Sequence, residues 1–402
     1  MPETIAILFD RFGPYHVARI KAASQHNRIF AIEVCAKTRE YEWQKVDCTG
    51  IFESKTLFTE EEGDSRDITT PLIRRRIDGV LNCADPIAVL IPGWSTPAAL
   101  VALRWCLHAN RPAIVMSEST RIDERRRWSR EWVKRRIAGL FSAGLVGGSP
   151  QKDYLTELGL PGEKIFTGYD VVDNKYFRSK AEEARAQNSH LRQKYGLPND
   201  YFLASARFVE KKNLFTLVRA YANYRNSVGS NAWGLVLLGD GPLKSDLSSL
   251  VSELNLDDSV VMPGFKQYDE LPVYYGLANV FVHASTTEQW GLVVNEAMAS
   301  GLPVLVSNRC GCAVDLVKNG KNGFTFDPYQ VAGLTRRMLE MTSMKGAALA
   351  AMGEVGRNII KIFSPETFAE GAHLAIQAAQ ARSVPRLRSI DSLILNYLIS
   401  FQ

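Results

Sequence analysis

Cysteine is sparse: six residues (Cys35, Cys48, Cys83, Cys106, Cys310 and Cys312) in 402 do not make a disulfide scaffold, and no Cys-x-x-Cys pair occurs. Cys310-Gly311-Cys312 is too tight and isolated for a tetrahedral zinc site, so no metal is expected. No uninterrupted apolar run reaches about eighteen residues, the length a bilayer span needs. One-sided charge is missing too: 48 Lys and Arg against 43 Asp and Glu leave +5, short of a nucleic-acid-binding signature. There is no Gly-x-Gly-x-x-Gly after the first apolar run and no Walker-type Gly-Lys-Ser/Thr, which removes a nicotinamide-binding lobe and a P-loop. No repeat of solenoid length is visible. Without a basic region or cleavage site before Ile5-Ala6-Ile7-Leu8-Phe9, the N-terminus reads as a first strand, and the chain as cytoplasmic with reduced thiols.

What is present is an ordinary globular composition, 46% hydrophobic and 23% charged, at a length that suits two domains. Short apolar runs at 4–9, 28–34, 79–81, 88–91, 113–116 and 145–147, with helix-period segments between several of them, predict a parallel α/β sheet. A second series at 201–205, 234–238, 259–262, 280–283, 303–306 and 323–326 predicts another. The polar stretch from Arg178 to His190, followed by a Leu-Pro-Asn-Asp stop, places the junction at 178–200. The expected division is 1–178, 179–364 and 365–402. The last part opens with a helix over 365–382, Ser364 as its N-cap and Pro365 at its first position. After it, Ile390, Leu393, Ile394, Tyr397, Leu398 and Phe401 form a helical stripe that either packs back across the lobes or rests on a membrane.

The segment Phe281–Val306 carries the strongest chemical signal. A strand ends near Ser285, a loop holds Glu288 and Gly291, and a helix starts near Leu292 and is stopped by Gly301-Leu302-Pro303. The first turn, Gly291, Leu292 and Val293, presents N–H groups and the positive end of a helix dipole, a seat for phosphate. Glu288 in the loop and Glu296 in the helix can both face one crevice, where carboxylates accept hydrogen bonds from sugar hydroxyls.

Glu288-x7-Glu296 followed by Ala-Met-Ala-Ser-Gly-Leu-Pro-Val resembles the signature of retaining GT-B glycosyltransferases of family four, the glycosyl transferases group 1. Ala206-Arg207-Phe208-Val209-Glu210-Lys211-Lys212-Asn213 is similar to that family's Gly-Arg-Leu-x-x-x-Lys-Gly/Asn segment, with Ala206 in place of the usual glycine. Leu237–Pro242, Val261–Phe265 around Gly264 near the nucleotide base, and the Val171–Phe177 crossover agree as well; Gly311 matches a glycine turn beside the donor. The likeness covers about residues 165–330 well and the first 150 loosely. It implies two Rossmann-like domains facing across a cleft and a C-terminal helix crossing back to the N-terminal domain. It also implies transfer of a sugar from a UDP- or GDP-sugar to a hydroxyl acceptor with retention, in polysaccharide or glycolipid synthesis, with no metal or cofactor. Arg207 and Lys212 would hold the diphosphate, Glu296 the ribose, and Glu288 the reacting sugar. Two fixed cations stabilise a diphosphate as it gains charge on leaving.

In the first lobe, Asp10-Arg11-Phe12-Gly13-Pro14-Tyr15-His16 follows a strand and opens a helix. Gly13 there lets backbone approach a ligand, and His16 either binds acceptor or caps the helix. Trp94 either stacks on a sugar face or packs in the core, the commoner role of a lone Trp. After the run 113–116 many family members place a histidine, whereas this chain has Glu118, an acceptor partner or proton acceptor; without an ordinary base, a front-face reaction gives the acceptor proton to the departing phosphate. Arg121–Arg136 holds eight basic and three acidic residues with Trp128, Trp132 and Val133 at helical spacing, which predicts either contact with an anionic membrane or a surface helix paired through Asp123, Glu124 and Glu131. The rival functions are a nucleotide-sugar epimerase and a non-catalytic nucleotide-sugar-binding subunit.

Overall fold

A computed structural model describes residues 3–38, 43–63, 67–381 and 383–401; Met1, Pro2, Arg382 and the Phe401 side chain, each part of an expectation above, lie outside it. The chain divides into two compact units, Met1–Val172 with Ser364–Gln402, and Asp173–Phe363.

The first unit is built on β1 (Thr4–Phe9), β2 (Arg28–Cys35), β3 (Glu53–Phe58), β4 (Ala88–Pro92), β5 (Ala113–Ser117), β6 (Ala143–Val146) and β7 (Ile165–Thr167), in the order β3-β2-β1-β4-β5-β6-β7. The second holds β8 (Tyr201–Ser205), β9 (Gly234–Leu238), β10 (Val260–Gly264), β11 (Val280–His283), β12 (Val304–Ser307) and β13 (Gly323–Phe326), in the order β10-β9-β8-β11-β12-β13. All these pairings are parallel. Parallel strands covered on both faces read as continuous apolar runs, and Val89, Leu90 and Ile91 of β4 are fully buried. The strand order reverses between β1 and β4 and again between β8 and β11. Loops leaving the carboxyl ends diverge at such points, which is where open α/β sheets bind ligands.

Several expectations need correction. Residues 79–81 are not a strand; they belong to the helix Thr70–Ala84, which buries Ile73, Ile77 and Leu81 at successive four-residue steps, so the 3.6-residue period decides. β3 went unread because it is an edge strand whose first three residues are exposed. β7 has only three residues. The stretch expected as a junction is largely helical: Asn174–Ala186 is capped by Asp173, whose carboxylate accepts from Tyr176 N at 2.9 Å, and Asn188–Tyr195 follows. Its lack of large apolar residues reflects close packing. Ala181 and Ala184 face Gly276 of the helix Leu271–Leu277, where an added Cβ would come within 2.8 Å of Ala181 O. The break therefore falls before residue 178, at Val172/Asp173.

The chain ends inside the first unit. Ser364 Oγ accepts from Thr367 N to open the helix Pro365–Gln380, which packs on the helix Pro14–Ala23 and on β6 and β7. The helix Ser389–Phe401 lies against Pro97–His108 and Trp128–Ala138. Among the described residues no helix is long and apolar enough to cross a membrane.

Phe368, fully buried in Pro365–Gln380, ties this terminal segment to the first unit. Phe368→Ala should cost that unit about 3–5 kcal/mol. Hydrogen exchange should show faster opening of β6 and β7 with the strands of the second unit unchanged.

Candidate functional site

In the second unit, β8 and β11 are neighbours, with Phe202 opposite Val280 and Leu203 opposite Phe281. Beyond β8 the chain runs through Ala206–Val209 into the single turn Glu210–Lys212. Asn213, in the left-handed region at φ 56°, ends that turn. Its Nδ2 donates to Ala284 O at 3.1 Å and to Pro328 O at 2.8 Å, and Thr286 N donates to Lys211 O at 2.9 Å. The loop after β8 is thereby fastened to the loop after β11, and Lys212 Nζ donates to Glu288 Oε2.

Three donors converge on that carboxylate oxygen. Besides Lys212, Ser285 Oγ donates to Oε2 at 3.3 Å, and His283 Nε2 lies 3.4 Å from it. Ser285 Oγ and His283 Nε2 are 3.3 Å apart. The backbone holds Glu288 from the next loop: its N–H donates to Arg309 O, and Gly311 N donates to Glu288 O at 3.0 Å. Gly291 then turns into the helix Leu292–Ala299 with φ 106°, a region that favours glycine. A side chain there would also crowd Glu288 Cγ and His283 Nε2, each 3.4 Å from the added Cβ.

Burial pushes the Glu288 pKa up, but Lys212 and the hydrogen bond from His283 outweigh it, and the carboxyl is held well below the usual carboxylate range. Burial lowers the His283 pKa, helped by Lys212 and opposed by Glu288. Near neutral pH the cluster is therefore an ionised carboxylate beside a neutral imidazole and an ammonium.

Glu296 lies apart from this cluster in its environment. It is fully buried and accepts from Tyr275 Oη at 2.5 Å. Burial and then Glu296 raise the Tyr275 phenol well above its ordinary value, and Tyr268, stacked on Tyr176 at 4.8 Å, is raised by the same two causes. The expectation that both glutamates face one crevice is corrected on this point: Glu296 turns inward, because Ala297, Met298 and Ala299 bury the helix on which it stands. Trp290 Nε1 donates to buried Asn295 Oδ1 at 2.9 Å and locks the loop to that helix.

The structure thus brings Lys212, Glu288 and Gly291 together. Leu292 and Val293 form the half-buried first turn of the helix. Arg207 is exposed in the loop after β8. Gly264 ends β10, where its carbonyl accepts from Gly239 N at 3.1 Å. Cys310 and Cys312 are buried free thiols in the loop that supports Glu288. Among the described residues no group of three or more His, Cys, Asp or Glu is placed to hold a metal ion. His283, Ser285 and Asn213 were not foreseen; a histidine closing an otherwise apolar strand five positions before Glu288 was the available signal.

In the first unit, Gly13 is the N-cap of Pro14–Ala23 at φ −118°, so its backbone does not require glycine. His16 Nδ1 accepts from Gly13 N at 3.0 Å, the capping alternative, and its ring lies 4.4 Å from that of Phe9. Burial, with Arg19 adding to it, holds the imidazole down at about 3, so His16 is neutral with its proton on Nε2. Buried Glu33 fixes the same loop by accepting from Phe12 N and Thr56 Oγ1, both at 2.7 Å. Glu118 follows β5 and is partly exposed. Trp94 packs against the core.

The buried pair gives a measurable pH dependence. Because folding depresses the Glu288 pKa, its contribution is fully present above the unfolded value of about 4.3 and is lost as pH falls toward the folded value. Lys212→Met should cost about 3–5 kcal/mol at neutral pH by stranding the carboxylate. In denaturant titrations that deficit should shrink as pH drops below about 4, and Lys212→Met combined with Glu288→Gln should recover most of it.

Residues 187–359, inside the second unit, match the family model described as Glycosyl transferases group 1. The chain is 34% identical over 151 residues to an alpha-monoglucosyldiacylglycerol synthase of Acholeplasma laidlawii, covering 37% of each protein. It is 32% identical over 194 residues to a GDP-mannose-dependent alpha-(1-6)-phosphatidylinositol monomannoside mannosyltransferase of Mycobacterium tuberculosis, covering 46% of this chain and 48% of that one. The matches thus span about half or less of these curated relatives. The crystal structure of Anabaena Alr3699/HepE in complex with UDP superposes with a TM-score of 0.71 at 17% identity, over 94% of this chain and all of that one. Lys212, Glu288 and Glu296 lie inside the segment that matches the glycosyl transferases group 1 model, and the two-sheet fold is shared with the solved glycosyltransferase structures.

Proposed function

We propose that the protein is a glycosyltransferase that moves a sugar from a nucleoside diphosphate sugar to a hydroxyl of a saccharide or lipid-linked acceptor, with retention at the anomeric carbon. The observation that carries this reading is the Lys212–Glu288 pair at the carboxyl ends of β8 and β11, where the strand order reverses. The complexes of Anabaena HepE with UDP and with UDP-glucose support a nucleotide-sugar donor. The Acholeplasma and Mycobacterium relatives, named for diacylglycerol and phosphatidylinositol products or substrates, support a lipid-linked acceptor.

The chemistry follows from the charges. Lys212 neutralises Glu288 in the free protein. A donor diphosphate competes for the same ammonium, and Arg207 adds a second cation from the same loop. As Lys212 turns toward phosphate, the Glu288 carboxylate loses its counter-ion beside the sugar while positive charge grows at the anomeric carbon. The bond from that carbon to the phosphate oxygen breaks, the acceptor oxygen attacks on the same face, and the departing phosphate takes the acceptor proton. The cations meet the leaving-group charge that a metal ion would otherwise meet. Glu296 anchors the donor end of the site through the helix it stands on, with Leu292 and Val293 at its first turn and Gly264 toward the base. Glu118 is the partner of the acceptor, whereas His16 caps the helix that follows Gly13.

Glu288→Gln should lower turnover by about 10²–10³-fold with little change in nucleotide affinity; unchanged turnover removes Glu288 from the chemistry. In calorimetry, Arg207→Ala and Lys212→Ala should weaken UDP or GDP binding by about ten- to a hundredfold each, and wild-type affinity would refute the diphosphate assignment. A thermal-shift panel of nucleotide sugars identifies the donor, and the anomeric coupling constant of the product decides retention.

A further inference from the structure

The basic segment of the first unit separates into two groups with different fates. Arg126 turns inward: Nη1 donates to Tyr154 Oη at 2.6 Å and to Glu131, Nη2 reaches Asp123 at 2.6 Å, and the guanidinium lies 4.2 Å over the Tyr154 ring. Lys134 pairs with Glu124 and with Glu131. These contacts occupy all three acids of the segment. Arg125, Arg127 and Arg135 are exposed and form no ion pair among the described residues. Arg135 of the helix Trp128–Ala138, with Arg125 and Arg127 just before it, thus leaves an exposed basic excess on this segment.

That face also carries aromatic surface. Trp128 is 86% exposed and Trp132, one turn on, 46%. Beside this helix lies Ser389–Phe401, joined to it by the ion pair of Arg136 with buried Asp391, Nε to Oδ1 at 2.7 Å. It buries Leu395 and Ile399 and exposes Ile390, Leu393 and Tyr397 at three- and four-residue spacing, Leu393 at 67%. Single exposed apolar residues are ordinary; five of them on two helices in contact, with three exposed arginines in or just before one of those helices, are not. Indole and phenol rings with arginines beside them suit the boundary between lipid headgroups and acyl chains. A second copy of the chain would bring the same positive charge against itself, whereas anionic headgroups complement it.

We propose that the helices Trp128–Ala138 and Ser389–Phe401 form a composite surface that docks the first unit on anionic lipid, the arginines meeting headgroup phosphates and the exposed apolar side chains entering the interface. The surface does not depend on the transferase reading, since it needs no donor and uses no residue of the second unit.

Flotation of the full chain with vesicles of phosphatidylcholine alone, or of phosphatidylcholine with phosphatidylglycerol at about 7:3, tests it. The wild type should float with the anionic vesicles alone, and less so in about 0.5 M NaCl. At about fivefold per basic residue, Arg125→Glu with Arg127→Glu and Arg135→Glu should weaken binding at least about a hundredfold. Ile390→Ser with Leu393→Ser should weaken it at unchanged net charge. A control with Arg219→Glu, Lys321→Glu and Arg336→Glu, exposed positions of the second unit, changes net charge equally and should float like the wild type. Circular dichroism confirms that each variant is folded. Equal flotation with both vesicle types, full binding by either first-unit variant, or equal loss in the control overturns the proposal. So does light scattering that shows a dimer abolished by Ile390→Ser with Leu393→Ser, which would assign the face to a second copy.

Discussion

An ammonium and a carboxylate, both largely removed from water, must be kept in contact where β8 and β11 end, and much of the second unit is arranged around that requirement. Desolvating either charge is costly, and the attraction between them compensates only when the geometry is held. The holding is distributed over three loops. Asn213 and Thr286 fasten the loop after β8 to the one after β11, and Arg309 with Gly311, from the loop after β12, grips the backbone of Glu288. β8, β11 and β12 are consecutive in the sheet, so neighbouring strand ends supply all three. His283 and Ser285 add to Lys212 at the same carboxylate oxygen, Oε2.

The parts of this arrangement legible in the sequence are those where one principle acts alone. β4 and β11 are buried on both faces, so their apolar runs declared them. Residues 79–81 misled because three apolar-leaning residues fit either period until Ile73 and Ile77 are counted with Leu81. The segment 174–195 misled for another reason: alanines that allow helices to approach closely have the same composition as a linker. At the site, the spacing from Glu288 to Glu296 and the position of Lys212 were readable as motif. The inward turn of Glu296 toward Tyr275 was not, because it depends on a tyrosine twenty-one positions away in another helix. His283 stayed hidden as a strand residue whose partner comes from the following loop.

Charge in the first unit teaches a related lesson. A count over 121–136 gives a strongly basic run, and the reading of a surface helix paired through Asp123, Glu124 and Glu131 holds for part of it. Burial decides residue by residue: Arg126 and Lys134 use the local acids, while other arginines point away. Arg19 makes the same point more sharply. It is almost wholly buried, yet donates twice to Val171 O, at 3.2 and 3.3 Å, and lies 4.9 Å over the Tyr169 ring, so a charged residue serves as a strut across 152 positions of sequence.

The return of residues 364–402 to the first unit carries a consequence for biosynthesis. As the ribosome elongates the chain, Asp173–Phe363 emerges whole and can complete its own core, whereas the earlier-made Met1–Val172 must wait for the last helices. Until Phe368 and Leu395 arrive, the sites that receive them on β6, β7 and the helix Pro97–His108 are open to water and to other nascent chains. Domains made first ordinarily fold first; here the core of the earlier-made unit is completed only by residues made after the second unit.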